Sequence, residues 1–487
     1  MNDLKKTGYN LEKQHKNGKW HAIERIVRLL DKGSFSEIGQ DMTDNMCQYP
    51  YDGVITGYGS IGGHVVFVYA QDFTVGGGTV GSKHAEKIAR VIALAIENNA
   101  PVIGINDSGG ARIQEGAKAL SGYGRILRMN AVASGCIPQI AIIAGPCAGG
   151  AVYSPGMMDF IFMVKDISSM YVTGPKVIEQ VTGKKCRNQE LGGWELHARK
   201  SGVAHFVCET EAQCYEQVRT LISLLQNHHV PDLGTGKSKV RPCSRLHQIV
   251  PASSRKIYDM LEVIRCIVDQ ENFLEVQKLF AVNVIVGFGK ISGMTIGIVA
   301  NQPMSKAGVL DCDGSDKAAG FVRFCDAFQI PIVTLVDVPG FMPDKGEEEK
   351  GIIRHGSKLL FAYAEATTTK ITVILRKAYG GAFIAMGSRS IGADLVFAWP
   401  GAEVAVMGAA GAVDILYHHE LEQHKEQPQY RKEREEAYEK EFVNSRLALA
   451  EGIIDKEIPP EDTRKEILSG LKLFAQKKST LSVINSR

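Results

Sequence analysis

The sequence predicts an α/β protein built from two domains of the same fold. The chain has 487 residues, and a chain of this length usually folds into two or more domains, each with its own hydrophobic core. Its motifs recur at one nearly constant distance, and short apolar runs alternate with amphipathic helical stretches. With 44% hydrophobic and 23% charged residues, the composition is that of a globular protein.

The recurrence extends over most of the chain. The stretch GYGSIGGHVVFVYA, from Gly57, matches GFGKISGMTIGIVA, from Gly287, 230 positions later. Two glycine pairs, ending at Gly150 and Gly381, stand 231 positions apart. Unrelated motifs would not keep one spacing over such a length, so we predict an internal duplication.

The duplication sets the predicted domain limits. We expect a first domain over residues 1–235 and a second over residues 245–487. Between them, residues 227–245 are rich in Pro, Gly and basic residues and lack apolar periodicity, which predicts a linker.

Within each copy, the apolar pattern predicts βαβ units. HVVFVYA, PVIGIND and PQIAIIAG are apolar at successive positions, which is typical of parallel strands buried on both faces. Between the first two lies a predicted helix, HAEKIARVIALAIENN. A dinucleotide-binding fold is disfavoured because no early strand is followed by GxGxxG with an acidic partner downstream. The apolar face of the predicted helix comprises Ile88, Val91, Ile92, Ala95 and Ile96.

Each copy also carries a glycine pair directly after an apolar run. Gly149 and Gly150 follow IPQIAIIAGPCA, and Gly380, Gly381 and Ala382 follow KITVILRKAY. A glycine lets a ligand approach the main chain, and the N–H groups at a helix start can donate to an oxygen that gains negative charge. One such pair would more often be a tight turn. Two at equivalent places predict two oxyanion holes.

Charge and composition exclude several other classes. The formal net charge is +2, so nothing points to nucleic acid or to an anionic membrane. The ten cysteines form no CxxC pair, which argues against a zinc ribbon, and no metal is expected. No signal peptide or membrane-spanning run is predicted, so the expected location is the cytoplasm.

The sequence resembles a known family, the carboxyltransferase (beta) subunits of biotin-dependent acyl-CoA carboxylases, including propionyl-CoA carboxylase. The similarity runs from GKWHAIERIVRLLDKGSF to LAEGIIDKEIPPEDTR, which is most of the chain. It implies two crotonase-like (ββα-superhelix) domains related by internal duplication, assembled as a homohexamer. The motifs that carry it are NDSGGARIQEG, GPCAGGAVYSPG, MYVTGPKVI, VDVPGFMP, GIIRHGSKLL, RKAYGGAFIAMGS and AVMGAAGAV.

The resemblance assigns a role to each glycine site. It implies that Gly149 and Gly150 hold the thioester oxygen of an acyl-CoA. It further implies that Gly381 and Ala382, with Gly380, hold the ureido oxygen of biotin, which then supplies the base. The two sites would meet at a domain interface, between subunits. This fits the absence of a recognisable nucleophile–base pair such as GxSxG.

The remaining site residues are also implied by the resemblance. Gly110, Ala111 and Tyr379 are expected to contact the acyl-CoA substrate. Ile384 is expected to line the acyl pocket, where an apolar side chain favours alkyl groups such as that of propionyl-CoA.

The expected partners follow from what the sequence lacks. It contains no biotin-accepting MKM motif and no ATP-binding half. The chain is therefore expected to meet a biotin carboxyl carrier protein and a biotin carboxylase subunit. Alternatively, it is the alpha subunit of a methylmalonyl-CoA decarboxylase, with a membrane decarboxylase subunit, or a transcarboxylase core running the reverse transfer. A biotin-free hydratase or isomerase, or a non-catalytic scaffold, fits the paired glycine sites less well.

Other residues are weighed between structural and functional roles. Asp107 and Asp337 each follow an apolar run, and we favour caps of the next turn over catalytic carboxylates. His355 is interpreted as a structural helix residue, and Met170 and Tyr171 as core or pocket wall. For a basic N-terminal run, a solvated helix face is favoured over binding of CoA phosphates. That run comprises Lys13, Lys16, Lys19, Arg25 and Arg28.

Overall fold

In a computed structural model the chain forms two compact units, Met1–Ser223 and Leu224–Arg487. The predicted linker, 227–245, lies almost wholly outside the described residues, so the domain limits at 235 and 245 stay predictions. The structure describes residues 11–16, 18–43, 49–226, 244–254, 256–424, 427–475 and 477.

The first unit is a mixed sheet with helices between its parallel strands. Its described strands pair in the order β1-β2-β3-β4-β5-β6-β8, and β7 pairs with the far end of β5. The elements are α1 Leu11–His15, α2 Ala22–Leu29, β1 Ser36–Glu37, β2 Val54–Ile61, β3 His64–Gln71, α3 Ser82–Glu97, β4 Val102–Ser108, α4 Ala117–Ala133, β5 Gln139–Ala148, α5 Tyr153–Gly156, β6 Phe160–Val164, β7 Ser169–Tyr171, α6 Pro175–Thr182, α7 Asn188–Gly192, α8 Trp194–Arg199, β8 Phe206–Cys208 and α9 Glu211–Gln226.

The second unit repeats this arrangement. Its described strands pair in the order β9-β10-β11-β12-β13-β14-β16, and β15 pairs with the end of β13. The elements are α10 Leu246–Ile249, α11 Met260–Ile267, β9 Phe273–Val276, β10 Val284–Ile291, β11 Met294–Asn301, α12 Cys312–Ala327, β12 Ile332–Val338, α13 Lys345–Lys350, α14 Ile352–Glu365, β13 Lys370–Tyr379, α15 Gly380–Ala385, β14 Leu395–Ala398, β15 Glu403–Ala405, α16 Ala409–Leu416, α17 His418–Gln423, α18 Pro428–Phe442, α19 Ser445–Ala450, β16 Lys456–Glu457 and α20 Thr463–Leu473.

The duplication is visible in the strand register. Val68 of β3 lies opposite Ile103 of β4, and 230 positions later Ile298 of β11 lies opposite Val333 of β12. Both pairs are parallel, while the hairpins β2–β3 and β10–β11 are antiparallel. The α/β class and the duplicated fold predicted from the sequence are therefore confirmed.

The predicted strands and helix form because their apolar residues face the core. β4 and the central part of β5 are buried on both faces, as expected for parallel strands covered by helices. On α3, Ile88, Val91 and Ile92 are fully or almost fully buried. Each such side chain contributes about 1.5–3 kcal/mol through its removal from water. The core of the first unit holds β5, and that of the second holds β13; the glycine pairs lie at the carboxyl ends of these two strands.

Among the described helices, none combines the length and the apolar character needed to cross a bilayer.

Candidate active site

The first glycine site begins where β5 ends. Gly149 has a φ of 61°, a left-handed conformation that disfavours any residue with a side chain. A short 3₁₀ helix, Gly149–Val152, starts at this turn. The amides of Gly149 and Gly150 are its first two N–H groups, which have no partner within the helix. The site thus offers two adjacent donors at the carboxyl end of a buried strand.

The second glycine site repeats this turn at the end of β13. Gly380 has a φ of 57° and is the first residue of α15. The amides of Gly380, Gly381 and Ala382 occupy the first three helical positions and lack partners within the helix. Gly381 is exposed at this turn, and Ala382 is fully buried.

Packing does not require glycine at the second position of either pair. A Cβ atom on Gly150 would lie 3.4 Å from the Tyr123 ring, and one on Gly381 would lie 3.8 Å from the Phe341 ring. Both distances are ordinary van der Waals contacts. By contrast, a Cβ atom on Gly145, also near the end of β5, would lie 2.0 Å from the Asp107 carboxylate. A ligand that approaches the amides explains Gly150 and Gly381 better than close packing does.

Gly110 and Ala111 lie beside the first glycine site. Gly110 has a φ of 107°, and a Cβ atom there would lie 2.9 Å from the Ala148 carbonyl oxygen at the end of β5. Ala111 forms a parallel bridge with Val80. The structure therefore places Gly110 against the residue that precedes Gly149, and Ala111 follows Gly110 in the chain.

The second unit has a matching loop, within the motif VDVPGFMP, for which the sequence predicted no substrate contact. Leu310 bridges Phe341, as Val80 bridges Ala111, and the Leu310 amide donates to the Gly340 carbonyl. Both residues of each bridge recur 230 positions later, so the spacing of the duplication could have identified this loop. Phe341 differs from Ala111 in size, and its ring packs against Gly356 and beneath Gly381.

Tyr379 and Ile384 flank the second glycine site. The hydroxyl of Tyr379 donates a hydrogen bond to the Glu403 carboxylate on β15. Burial, and then this carboxylate, raise the pKa of the Tyr379 hydroxyl well above its usual range, so the phenol stays protonated. Ile384 lies on α15 with 42% of its surface exposed, which leaves its alkyl group accessible.

Asp107 is neither a cap of the next turn nor an exposed carboxylate, so the predicted cap is wrong. Its side chain is fully buried behind the first glycine site. Lys19 Nζ lies 2.8 Å from Oδ2, Arg25 Nη1 lies 2.9 Å from it, and Gln14 Nε2 donates at 2.9 Å. Arg25 also donates to the Ala144 carbonyl of β5 at 2.7 Å. Burial requires a charged partner for the carboxylate, and the N-terminal segment supplies it.

Asp337 is buried at the equivalent place in the second unit, and the cap prediction is wrong there too. Its Oδ2 accepts hydrogen bonds from Arg376 Nε at 2.8 Å and pairs with Nη2 at 2.8 Å. Its Oδ1 accepts from the Lys377 amide at 3.2 Å. The two aspartates are equivalent, but arginines from different elements neutralise them. Arg376 lies on β13, 231 positions after Gly145, so the equivalent position on β5 is a glycine and cannot supply the charge.

The solvated face predicted for the basic N-terminal run is confirmed for Lys13, Lys16 and Arg28, which are exposed, and is wrong for the other two residues. Lys19 and Arg25 are buried in ion pairs, and Arg25 also pairs with Glu211 at 2.7 Å. Burial alone would lower the pKa of Arg25, but Glu211 and Asp107 outweigh it and raise this pKa. The structural role predicted for His355 fits its position, because its Nδ1 lies 2.8 Å from Asp316 Oδ2.

The two units thus place equivalent glycine-led turns at the carboxyl ends of equivalent strands. The chain belongs to the carboxyl transferase family, whose domain model matches residues 13–486. Family membership agrees with the resemblance found in the sequence.

Relatives that are similar over nearly the whole chain support this membership. The propionyl-CoA carboxylase carboxyltransferase subunit of Haloferax mediterranei is 49% identical, covering 96% of this chain and 92% of the relative. The alpha subunit of methylmalonyl-CoA decarboxylase from Veillonella parvula is 47% identical, covering 96% and 92%. The crystal structure of the transcarboxylase 12S hexamer, with methylmalonyl-coenzyme A and methylmalonic acid bound, is 46% identical, with a TM-score of 0.92 and coverage of 96% and 92%.

Proposed function

We propose that this enzyme moves a carboxyl group between carboxybiotin on a separate carrier protein and the α carbon of a short acyl-CoA, with propionyl-CoA and methylmalonyl-CoA as the favoured pair. The observation that carries the proposal is the repetition of the glycine turn at the ends of β5 and β13. A transfer between two carbonyl compounds needs two oxyanion sites, whereas a hydratase or isomerase needs one.

The donor groups suit these two ligands. Backbone amides at both turns fit a thioester carbonyl and a ureido carbonyl, because each is a hydrogen-bond acceptor that gains negative charge during transfer. When bound, carboxybiotin supplies the carboxyl group as carbon dioxide and, once decarboxylated, takes up the acyl α proton.

The residues of the chain stabilise charge at two stages of the transfer. The amides of Gly149 and Gly150 hold the thioester oxygen while the α proton leaves and the α carbon attacks. Those of Gly381 and Ala382 hold the ureido oxygen as the carboxyl group departs. Each donor of this kind stabilises a transition state by about 2.7–4 kcal/mol. Gly110 and Ala111 contact the acyl-CoA, Tyr379 contacts the ligand of the second site, and Gly380 shapes the turn of that site.

The same site runs the transfer in either direction, because both directions share their transition states. Relatives of both kinds, a carboxylase subunit and a decarboxylase subunit, are similar to this chain to nearly the same degree. The direction then depends on the partner, a biotin carboxylase or a membrane decarboxylase subunit. We also propose a homohexamer, as in the transcarboxylase structure, located in the cytoplasm.

The isolated chain is expected to transfer a carboxyl group from methylmalonyl-CoA to free biotin without ATP. The physical reason is that the transfer conserves the activated carboxyl group, so no external energy source is needed. The measurement is propionyl-CoA formation by chromatography, with and without biotin and with ATP depleted. A strict requirement for ATP would contradict the proposal, and product without biotin would favour a biotin-free reaction.

Ile384→Asp is expected to change acyl-chain selectivity. In the parent chain, an apolar wall discriminates acetyl-, propionyl- and butyryl-CoA only modestly, since one methylene is worth about 1–3 kcal/mol in such a pocket. The measurement is kcat/KM for the three thioesters in both proteins. A parent ratio above about 10⁴ would exceed methylene discrimination, and unchanged ratios in the variant would remove Ile384 from the pocket wall.

A further inference from the structure

Each glycine site has one tyrosine beside it, but the two come from opposite strands. In the first unit Ala148, the last residue of β5, lies opposite Tyr171 of β7. In the second unit Tyr379, the last residue of β13, lies opposite Ala405 of β15. Alanine and tyrosine have thus exchanged places across an equivalent pair of parallel strands.

The two rings nevertheless pack at the same place in the fold. A Cβ atom on Gly174 would lie 3.6 Å from Cε2 of Tyr171, and one on Gly408 would lie 3.2 Å from Cε2 of Tyr379. These glycines are equivalent, because each is the N-cap of the eight-residue helix that follows, α6 or α16. An aromatic wall next to the glycine turn is therefore present in both units although its source differs.

The two hydroxyl groups meet different side chains, and here the units differ in charge. The Tyr171 hydroxyl donates a hydrogen bond to Asn188 Oδ1 at 3.4 Å. Tyr379 donates to Glu403, which occupies on β15 the position of Ser169 on β7. The first site therefore has a neutral partner behind its tyrosine, and the second has a carboxylate.

We propose that Tyr171 and Tyr379 are the matched walls of the two glycine sites, and that the Glu403–Tyr379 pair adapts the second site to a ligand with N–H groups beside its carbonyl. This inference rests on the proposed function. It adds which residues distinguish the two sites, with Glu403 as a positioning residue that acts through Tyr379.

The hydrogen-bond direction explains the selectivity. Because the Tyr379 hydroxyl donates its hydrogen bond to Glu403, the phenol oxygen keeps lone pairs that can accept a hydrogen bond from an N–H group. Lys377, opposite Glu403 in the strand register, donates to the Ser254 carbonyl at 3.2 Å. A cyclic urea carries N–H donors next to its carbonyl, whereas a thioester carries none. The carboxylate-backed tyrosine therefore favours the urea, and the neutral first site suits the thioester.

The test is the KM for each substrate in ATP-free transfer from methylmalonyl-CoA to free biotin. Tyr379→Phe and Glu403→Gln keep the shape of the pair, and each is expected to raise the KM for biotin about tenfold, with the KM for methylmalonyl-CoA within about twofold. Tyr171→Ala is expected to raise the KM for methylmalonyl-CoA and to leave the KM for biotin nearly unchanged. Tyr58→Phe, a tyrosine of β2 with 40% of its surface exposed, is the matched control, and thermal unfolding confirms that each variant is folded.

Three outcomes would overturn the inference: an unchanged KM for biotin in Tyr379→Phe, a rise in the KM for methylmalonyl-CoA alone in that variant, or equal rises for both substrates in every tyrosine variant. Failure of the proposed function would give a different result, because the unaltered chain would then show no carboxyl transfer to biotin. If Glu403→Gln does not fold, Tyr379→Phe still decides, since it removes only the hydroxyl.

Discussion

Gly150→Val and Gly381→Val are each expected to abolish carboxyl transfer while the protein still folds. A valine side chain would stand where a substrate oxygen must approach the backbone amides. Loss of one oxyanion donor lowers kcat by about 10²–10³-fold, and a side chain that excludes the ligand blocks both donors of a site. The structure leaves room for the first added carbon, 3.4 Å from Tyr123 and 3.8 Å from Phe341.

The matched controls are glycines on exposed helical surfaces. Gly124 of α4 and Gly320 of α12 have no atom within 4 Å of an added Cβ, so Gly124→Val and Gly320→Val are expected to transfer normally. Gly150→Ala and Gly381→Ala add a smaller side chain, so they keep the test decisive if valine disturbs packing. Near-parent transfer rates in both valine variants, measured with folded protein, would refute the two-site account.

Arg25→Met is expected to lower the free energy of unfolding by about 3–5 kcal/mol, the usual effect of removing one partner of a buried ion pair. Arg25 is fully buried and pairs with both Asp107 and Glu211, so its loss leaves two carboxylates with too little positive charge. It also removes the hydrogen bond to the Ala144 carbonyl of β5, which leads into the first glycine turn. The measurement is urea-induced unfolding.

A surface pair provides the comparison for this variant. Arg219 lies 3.3 Å from Asp31, and both side chains are about one-third exposed, so Arg219→Met is expected to cost at most about 1 kcal/mol. Adding Asp107→Asn to Arg25→Met should recover part of the lost stability by removing one unpaired charge. Equal stability of the Arg25 and Arg219 variants would show that the buried pair does not stabilise the fold.

The sequence by itself determined the duplicated α/β fold and the two glycine turns. Strands buried on both faces are local apolar runs, and the amphipathic helix α3 repeats its apolar residues with helical spacing. The glycine turns are also local features, because a left-handed φ at Gly149 and Gly380 disfavours other residues at those positions. The spacing of about 230 residues then showed that both signals occur twice.

Only the tertiary structure decided which charges and rings meet behind those turns. Arg25 reaches Asp107 from a helix 82 positions earlier, whereas Arg376 reaches Asp337 from the neighbouring strand. The tyrosines of the two units likewise come from opposite strands yet pack on equivalent glycines. A buried carboxylate needs a positive charge beside it, and each glycine site needs an aromatic ring beside it. Neither need specifies which position in the chain supplies the group. Any element that reaches the place can meet that requirement, so residue patterns along the chain do not reveal the partner.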